Sequence, residues 1–306
     1  MGCIAFVFSG QGAQSPGMGR ELYDQSPAAR MIFDTAERVR PGTIEQCFIG
    51  SFDELARTEN TQPCVYCVDL AAAAALAEAG IKADMLSGFS LGELAALAFS
   101  GAISYEDGFK LVCRRAAMMQ EASSSTDSGM FAVLRLPDDT VVALCEEFEK
   151  IYPVNFNCEG QVAVAGPKSE LARFAVAVKE AGGRAIPLKV GGGFHSAFMA
   201  DASERFCKAL EGFTIAQPMI PLYSNVTALP YNGNYKELLA KQIRSPVHWR
   251  TSIENMIDAG ADTFIEAGPG KTLSGFISRI SDKVRVFNVE DPAGLEKVVK
   301  EVYVGA

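Results

Sequence analysis

The alternation of short apolar segments with longer helical ones is the feature that most constrains how this chain can fold. Apolar segments rich in strand-forming residues stand at 4–8 and 84–87, and segments with helical spacing stand at 26–40, 61–79, 93–99 and 105–121. Strands that alternate with helices in this way predict a parallel sheet with helices on its faces.

A different pattern begins after a polar segment of small residues, EASSSTDSG at 121–129, which is typical of a linker. We predict a strand at 130–136, a helix at 138–149, strands at 154–157 and 161–165, a helix at 169–181 and a strand at 184–190. This β-α-β-β-α-β order is the ferredoxin-like pattern. The sequence therefore predicts a ferredoxin-like subdomain at 126–191, inserted into an α/β core made of 1–125 and 192–306.

Composition excludes several classes of protein. The chain has 306 residues, enough for a sizeable core, and a net charge of −9, which argues against a general nucleic-acid-binding protein. The densest apolar run, at 70–77, is too short to cross a membrane, and the N-terminus lacks the basic region of a secretory signal. Eight scattered cysteines are typical of a reducing compartment. We therefore expect a cytoplasmic protein that binds neither nucleic acid nor membrane.

Three motifs that suggest a metal or a nucleotide fail on their spacing. The C-x-x-C pair at 64–67 has no second pair or histidine set at zinc spacing. The GPGKT segment at 268–272 would need a further glycine where Ile265 stands, and the G-x-G at 10–12 would need its third glycine where Ser15 stands. We therefore expect neither a zinc site at the C-x-x-C pair nor a nucleotide-binding loop at either glycine segment.

The segment GFSLG at 88–92 fits the G-x-S-x-G pattern of a nucleophile elbow. In such an elbow a strand ends, a serine occupies a strained turn, and a helix begins at once, so that the hydroxyl projects beside the helix N-terminus. The pattern alone is common, but the strand and helix predicted around it are the required context. Ser90 is therefore the candidate nucleophile, and the backbone N–H of Gln11 in the first glycine loop is a candidate oxyanion donor.

A nucleophilic serine needs a base, and the chain has only two histidines, His195 and His248. His195 follows the glycines at 191–193, where a loop at the edge of the sheet is expected. His248 precedes Trp249 and fits a packing role or the start of a helix better, so we favour His195 as the base. Spacing shows no acidic partner for His195, and a backbone carbonyl is an open alternative.

Arg114 and Arg115 follow the elbow on the helix predicted at 105–121. An arginine there is either a solvated or helix-capping residue or, if it faces the cleft, a bidentate ligand for a carboxylate or phosphate. These residues alone leave both alternatives open.

A series of ordered segments extends these motifs over most of the chain. They are FVFSGQGAQSPGMG at 6–19, TQP at 61–63, GFSLGELAAL at 88–97, RRAAMMQEA at 114–122, PVNFN at 153–157, FHSAFM at 194–199, QIRSPVHW at 242–249 and EAGPGKTLSG at 266–275. In this order they resemble the malonyl-CoA:acyl carrier protein transacylase family and the acyltransferase domains of fatty-acid and polyketide synthases. The resemblance implies an α/β-hydrolase-like core with a ferredoxin-like subdomain, in agreement with the predicted elements.

The resemblance also implies roles for individual residues. Ser90 matches the acylated nucleophile, His195 its general base and acid, and Arg115 the residue that pairs with the malonyl carboxylate. The other implied site residues surround them: Gln11 and Leu91 as backbone oxyanion donors, Gln62 as support for the pocket, Gln242 through the backbone carbonyl that orients the histidine, and Asn157 and Asn225 as residues that line or brace the cleft.

The implied reaction is a ping-pong transfer. Ser90, deprotonated by His195, attacks malonyl-CoA, and the malonyl group then passes to the phosphopantetheine thiol of a holo acyl carrier protein. Malonyl-CoA and the carrier protein are thus the implied partners, and the CoA thioester is a substrate. The resemblance implies no bound metal or cofactor, and a monomer is expected.

Two phenylalanines bear on the acyl group. In the family, a bulky residue at the position of Phe194 accompanies malonyl, because its bulk crowds the α-methyl branch of methylmalonyl. Phe89 stands where most of the family has histidine, so an acyltransferase of altered acyl preference is one alternative.

Two further alternatives share the same residues. A serine hydrolase or acyl-thioesterase would also use Ser90 and His195, but Arg115 and the inserted subdomain favour transfer. A non-catalytic carrier-binding scaffold is disfavoured because all three residues are present. Since acyl carrier proteins are usually acidic and this chain is acidic too, we expect a local basic patch beside the cleft, composed of Lys189, Arg244, Lys271 and Arg279.

Overall fold

The computed structural model describes residues 2–303, and a parallel sheet forms the centre of the larger part of the fold. The elements before residue 125 are β1 (Cys3–Phe8), α1 (Arg20–Gln25), α2 (Pro27–Val39), α3 (Thr43–Ile49), α4 (Phe52–Ala56), α5 (Thr58–Glu78), β2 (Met85–Gly88), α6 (Gly92–Phe99) and α7 (Tyr105–Ser124).

The middle of the chain forms a separate antiparallel sheet with two helices. Its elements are β3 (Ser128–Leu134), α8 (Asp138–Glu146), β4 (Tyr152–Cys158), β5 (Gln161–Pro167), α9 (Lys168–Glu180) and β6 (Arg184–Pro187). The chain then returns to the parallel sheet through a short 3₁₀ turn (Ala197–Met199), α10 (Ala200–Leu210), β7 (Leu222–Tyr223), α11 (Tyr235–Gln242), α12 (Trp249–Asp258), β8 (Ala261–Ala267), α13 (Thr272–Ile280), β9 (Arg285–Val289) and α14 (Pro292–Tyr303).

The parallel sheet brings three glycine-containing turns to one edge. Its strand order is β7-β2-β1-β8-β9, and each neighbouring pair is parallel. In this register Phe8 lies opposite both Gly88 and Ala267, so that β1, β2 and β8 end side by side. The turns that follow them, at 9–12, 88–92 and 268–271, therefore meet at the carboxyl edge of the sheet, where ligands bind in open α/β sheets.

The sheet is buried on both faces, as a parallel sheet requires. Along β1, Ile4, Phe6 and Phe8 pack into the larger hydrophobic core, whereas Ala5 and Val7 pack into a second core on the opposite face. This alternation is the period of two expected for a strand, and it fixes which helices cover which face.

Helix α5 crosses the larger core and is apolar on nearly every side. Its residues from Thr61 to Leu76 are all buried, which is the pattern of a core helix rather than a surface one. It begins at Thr58, one turn before the predicted start at 61, because Arg57 rather than Thr61 occupies the N-cap position. No helix within residues 2–303 combines the length and hydrophobicity needed to span a membrane.

The antiparallel sheet has the strand order β4-β5-β3-β6 and the connectivity predicted for a ferredoxin-like unit. It has its own hydrophobic core, to which Phe174 and Val162 contribute. A parallel sheet combined with this antiparallel one confirms the predicted fold class. The division into domains at 126–191 stays a prediction, and residues 1 and 304–306 of the predicted core lie outside the described residues.

Several boundaries differ from those predicted. The strands expected at 130–136 and 154–157 are Ser128–Leu134 and Tyr152–Cys158, and the strand expected at 184–190 ends at Pro187. Helix α7 continues to Ser124, which leaves only 125–127 of the predicted linker at 121–129 outside regular structure. The hydroxyls of Ser123 and Ser124 donate to the carbonyl of Gln120, so that these polar residues are bonded within the last helical turn. Helix α8 ends at Glu146 rather than at residue 149.

Candidate active site

Ser90 lies on a tight turn between β2 and α6. Its φ of 56° is in the left-handed region, which non-glycine residues rarely occupy outside strained functional turns. A Cβ on Gly88 would overlap the backbone of Gly92, and a Cβ on Gly92 would overlap the carbonyl of Phe8, so both positions need glycine. Asn225 secures the turn, because its Oδ1 accepts the N–H of Ser90 at 2.8 Å and its Nδ2 donates to the carbonyl of Gly88 at 2.7 Å.

His195 lies against the Ser90 hydroxyl. Its Nε2 is 2.8 Å from Ser90 Oγ, and its Nδ1 is 2.8 Å from the backbone carbonyl of Gln242. Because a carbonyl can only accept, Nδ1 carries the proton and Nε2 is left to accept the serine hydroxyl. His195 also has a left-handed φ, 60°, and its N–H donates to the carbonyl of Ile243 at 3.2 Å, which fixes the backbone in that conformation.

The surroundings keep His195 neutral. Burial and then the positive charge of Arg115 lower the pKa of the imidazole to about 4. The hydrogen bond from Nδ1 to Gln242 acts in the opposite direction and is the weaker influence. At neutral pH the ring therefore has a free acceptor nitrogen toward Ser90.

Arg115 reaches Ser90 from α7 and is almost fully buried. Its Nη1 donates to Gln62 Oε1 at 2.6 Å, and its Nη2 donates to Gln242 Oε1 at 2.7 Å and to Ser90 Oγ at 3.1 Å. Burial lowers the pKa of this guanidinium to about 10, against the charge of Glu93, so it stays positive at neutral pH. Among the described residues, no carboxylate lies within ion-pair distance of Arg115, so an anionic ligand has a buried cation to bind.

The neighbouring Arg114 points elsewhere. Its guanidinium lies over the ring of Phe213, 5.1 Å from the centroid. The alternatives that the sequence left open are thus divided between the two residues: Arg115 faces the cleft, and Arg114 packs on the outer side of α7.

A cavity of about 80 Å³ opens at Ser90. Its lining includes most of the predicted site residues and several apolar ones: Gln11, Gln62, Phe89, Ser90, Leu91, Arg115, Met119, Met130, Asn155, Leu188, Val190, Phe194 and His195. The N–H groups of Gln11 and Leu91 form no hydrogen bond with any described residue. Two free donors therefore line the same small space as the nucleophile.

A second cavity, of about 240 Å³, adjoins the first. The two share Gln11, Phe89, Asn155 and Leu188, and the second continues between the antiparallel sheet and α13. The Oδ1 atoms of Asn155 and Asn157 and the Nε2 of Gln11 are buried there without a partner in the described part of the chain. Buried polar atoms are normally paired, so these three indicate a polar ligand.

Phe89 forms part of the wall between the two cavities. Its ring packs edge-on against Trp249, with centroids 5.5 Å apart, and against Phe276 at 6.4 Å. The aromatic ring at this position is therefore held by apolar contacts, and it offers no hydrogen bond to Ser90.

Sequence reasoning missed two polar residues of the site, Glu93 and Asn155. Glu93 is fully buried and accepts hydrogen bonds from Asn225, Gln242 and Tyr231. A lone acid in the apolar helix GELAALAF was the signal that could have revealed it. Asn155 stands two residues before Asn157 on β4, and the period of a strand could have placed both on one face.

The remaining candidates lie outside the cluster. His248 is the N-cap residue of α12 and stacks on Phe156 with the ring planes 8° apart, which agrees with the predicted packing role. The described cysteines, Cys64 and Cys67 among them, are free thiols. No three His, Cys, Asp or Glu side chains within 2–303 are grouped so that they could hold a metal ion.

Comparison with known proteins gives consistent matches over nearly the whole chain. Residues 5–296 match the model of the acyl transferase domain family. The chain is 36% identical to the malonyl CoA-acyl carrier protein transacylase of Bacillus subtilis, over 98% of this chain and 97% of that protein. Among solved structures, the transacylase of the same name from Clostridium perfringens superposes with a TM-score of 0.95 at 38% identity, covering 99% of this chain and 98% of that one.

A further similar structure is a complex. It holds a type II polyketide synthase acyl-carrier protein bound to its malonyl-transacylase, and the match has a TM-score of 0.94 at 31% identity over 98% of this chain and 99% of that one. The fold, the site and these matches together define the chain as an acyltransferase. Within that class, the relatives and structures named above are all malonyl transacylases. The chain belongs to the malonyl-CoA–acyl carrier protein transacylase family.

Proposed function

We propose that the protein transfers the malonyl group of malonyl-CoA to the phosphopantetheine thiol of a holo acyl carrier protein, through a malonyl-Ser90 intermediate. The observation that carries this proposal is the position of Ser90 Oγ, 2.8 Å from His195 Nε2 and 3.1 Å from Arg115 Nη2. One neighbour can accept the hydroxyl proton, and the other carries the charge that a free carboxylate requires. The names of the relatives support the same substrates, and the solved carrier complex supports the partner.

His195 acts first as base and then as acid. As Ser90 attacks the thioester carbonyl, its proton moves to Nε2, and the imidazolium is stabilised by the carbonyl of Gln242 at Nδ1. The proton then passes to the departing CoA sulfur, which leaves malonyl bound to Ser90 as an ester. In the second half the carrier thiol gives its proton to His195 and attacks this ester, and the proton returns to the Ser90 oxygen.

The free N–H groups of Gln11 and Leu91 supply the oxyanion hole. Leu91 is the N-cap residue of α6, so its N–H belongs to the positive end of a helix dipole. Donors fixed in place before the reaction need no reorganisation when negative charge develops on the carbonyl oxygen.

Arg115 selects the acyl group. The malonyl carboxylate replaces Ser90 Oγ as the ligand of Nη2 while Gln62 and Gln242 continue to hold the guanidinium. An acetyl group would leave this buried cation without an anion, which disfavours neutral acyl groups. Phe194 lines the same cavity and limits its width, as expected if a branched malonyl derivative is crowded out.

The second cavity receives the pantetheine arm of either thioester substrate. The arm carries amide groups, and Asn155, Asn157 and Gln11 provide the unpartnered acceptors and donor that amides need. Phe89 contributes apolar surface where the arm turns toward Ser90. This role supports a wall-forming function for Phe89 and weakens the alternative of a changed acyl preference.

Basic residues at the mouth of the second cavity receive the carrier protein. Lys189 is exposed between the lining residues Leu188 and Val190, and Lys271 is exposed before Thr272, which lines the second cavity. Arg244, also exposed, and Arg279 complete the predicted patch, although Arg279 already donates to Gln161 Oε1 at 2.7 Å. Reversing the charge of Lys189 or Lys271 should slow transfer to the carrier and leave acylation by malonyl-CoA intact.

The predicted monomeric state stays a prediction.

Intact-protein mass spectrometry after mixing with malonyl-CoA, and again after adding holo carrier protein, tests the proposal. We expect a malonyl adduct that is absent in Ser90→Ala, persists in water and moves to the carrier. An adduct that decays to free malonate without the carrier would favour the hydrolase alternative. An adduct formed from acetyl-CoA but not from malonyl-CoA would overturn the role of Arg115.

A further inference from the structure

Glu93 stands three residues after Ser90, and its carboxylate joins several parts of the site. One oxygen accepts the N–H of Asn225 at 3.0 Å and the side-chain amide of Gln242 at 2.9 Å, and the other accepts the hydroxyl of Tyr231. The side chain has no exposed surface. The proposed reaction makes no direct use of this carboxylate, yet burying an ionisable group is costly unless its partners compensate.

The side chain of Gln242 lies between Glu93 and Arg115, with its two ends oppositely directed. Its Nε2 donates to Glu93 and, at 2.7 Å, to the backbone carbonyl of Ser90. Its Oε1 accepts from Arg115 Nη2 at 2.7 Å. If the Gln242 amide were flipped, its oxygen would face the Glu93 carboxylate and its N–H groups would face the Arg115 guanidinium. An ionised Glu93 therefore disfavours the flipped orientation.

This orientation places Arg115. Two acceptors, Gln242 Oε1 and Gln62 Oε1, hold one nitrogen each of the guanidinium, and the nitrogen held by Gln242 is the one 3.1 Å from Ser90 Oγ. Loss of the Gln242 acceptor would leave the guanidinium free to turn away from the nucleophile. Glu93 thus reaches Arg115 through a single intervening side chain.

The Glu93 carboxylate also supports the turn itself. It accepts the N–H of Asn225, whose side chain binds the N–H of Ser90 and the carbonyl of Gly88. A change at Glu93 that acted only through Asn225 would shift the serine and slow every acyl substrate alike. A change that acts through Gln242 would instead alter the choice between acyl groups.

On the basis of the proposed function, we infer that Glu93 is a positioning residue that fixes the orientation of the Gln242 amide and so keeps Arg115 aimed at the acyl carboxylate. Glu93 touches no substrate in this arrangement. Preference for a malonyl over a neutral acyl group therefore depends on a residue outside the acyl cavity.

The charge of Glu93 changes close to neutral pH. The groups facing it are Arg115 from α7, Tyr231 from the segment before α11, and the amides of Asn225 and Gln242. Burial raises the pKa of Glu93 to about 7, while these hydrogen bonds and Arg115 oppose the rise. Tyr231 stays neutral, because burial and the carboxylate raise its pKa well above the ordinary value. Protonation of Glu93 removes one of the two acceptors of Gln242 Nε2 and leaves the Ser90 carbonyl as the other, so the amide is held less firmly against Arg115.

The test is the ratio of the Ser90 acylation rates with malonyl-CoA and acetyl-CoA, measured by intact mass in the wild type and in Glu93→Gln on both sides of pH 7. In the wild type we expect the ratio to fall as the pH drops below this value. In Glu93→Gln we expect it to be about tenfold lower and independent of pH in this range. Protonation of His195, with its pKa of about 4, lies outside the range and affects both substrates equally.

Tyr231→Phe is the matched control. It removes the hydrogen bond to the other Glu93 oxygen and leaves the bond to Gln242, so the ratio should be unchanged, even if stability falls, at a pH high enough to keep Glu93 ionised. Its decline should move to higher pH, because the Tyr231 hydrogen bond lowers the pKa of Glu93. An unchanged ratio in Glu93→Gln, with both rates reduced in parallel, would overturn the inference and leave the proposed function standing. If that variant does not fold, a wild-type ratio that is flat across neutral pH overturns it equally. A wild type that forms no malonyl adduct would overturn the proposed function and the inference together.

Discussion

On one side of Ser90, the polar groups bind one another. Arg115 is held by Gln62 and Gln242, and Gln242 is held in turn by Glu93. On the opposite side, toward the antiparallel sheet, buried polar atoms of Asn155, Asn157 and Gln11 have no partner among the described residues.

The difference separates two tasks within one cleft. Groups that are already paired stay in place during the reaction, and they can stabilise charge without reorganisation. Unpaired groups can instead form hydrogen bonds with a ligand that enters the cleft. Substitutions on the paired side should therefore change rate and acyl selectivity, and substitutions on the unpaired side should change affinity for the thioester arm.

The largest effect is expected on the paired side, from His195→Ala. Without a base at Ser90 Oγ, the acylation rate constant should fall by roughly a thousandfold or more. Below the pH range in which Glu93 titrates, the wild-type rate constant should decline again as the pH falls through about 4, because a protonated imidazole cannot accept the serine proton. Single-turnover quench measurements with malonyl-CoA check both points. His248→Ala is the control, and a rate within tenfold of wild type for His195→Ala would contradict the assignment.

Arg115→Ala should give the next largest effect. Removing the buried cation should lower malonyl acylation by about a hundredfold and acetyl acylation much less, because only the malonyl group loses a charged hydrogen-bond partner. Competition between the two CoA esters, followed by mass spectrometry of the adduct, measures the change. Arg114→Ala, which removes a guanidinium packed on Phe213, should leave the competition unaltered. Unimpaired malonyl transfer by Arg115→Ala would show that the carboxylate binds elsewhere.

On the unpaired side, Asn157→Ala should raise KM about tenfold with little change in kcat, since it removes one hydrogen bond to the arm rather than to the reacting carbonyl. The increase should be the same for malonyl-CoA and acetyl-CoA. A malonyl thioester of a simple alkanethiol, which lacks the amides, provides the control because Asn157→Ala should not affect it. A change confined to malonyl-CoA would place Asn157 on the acyl side instead.

The fold was largely predictable because its determinants are local. Strand and helix periods, together with glycines at the turns, indicated both sheets before any contact was known, and the structure confirms that class. The errors lie at the ends of elements, namely helices α5, α7 and α8 and strands β3, β4 and β6. At the end of α7, serine hydroxyls bonded to the backbone decide the last turn.

The contacts within the site were less predictable, because they join residues far apart in the chain. The sequence reasoning placed Ser90, His195 and Arg115 in one site, and the structure brings their side chains into contact. It did not show that the side chain of Gln242, 127 residues from Arg115, would be the acceptor that holds the guanidinium. The sequence also did not reveal Glu93 as a residue of the site, because its role depends on the hydrogen-bond donors that the fold places around its carboxylate.

Asp69 shows whether a buried polar group without a hydrogen-bond partner always indicates a ligand. Its carboxylate is fully buried on α5, and neither oxygen has a hydrogen-bond partner of good geometry among the described residues, although the nearby backbone of Ser9 acts to lower its pKa. Unlike Asn155 and Asn157, it does not line either of the two cavities. Burial raises its pKa well above the ordinary value, and the charge of Glu266 raises it further. A bound proton, rather than a ligand, is then what satisfies this group.

Asp69→Asn should accordingly change stability by a modest amount that depends on pH. In the unfolded chain Asp69 loses its proton near pH 4, whereas the folded protein keeps it to higher pH, so the free energy of unfolding falls as the pH rises between these values. Asparagine carries no such proton, so the variant should gain stability relative to wild type between acidic and alkaline conditions. Urea unfolding at both extremes measures this, with the exposed Asp282→Asn as the control. Equal pH slopes for Asp69→Asn and wild type would mean that Asp69 is ionised in the folded protein and has a cationic or polar partner after all.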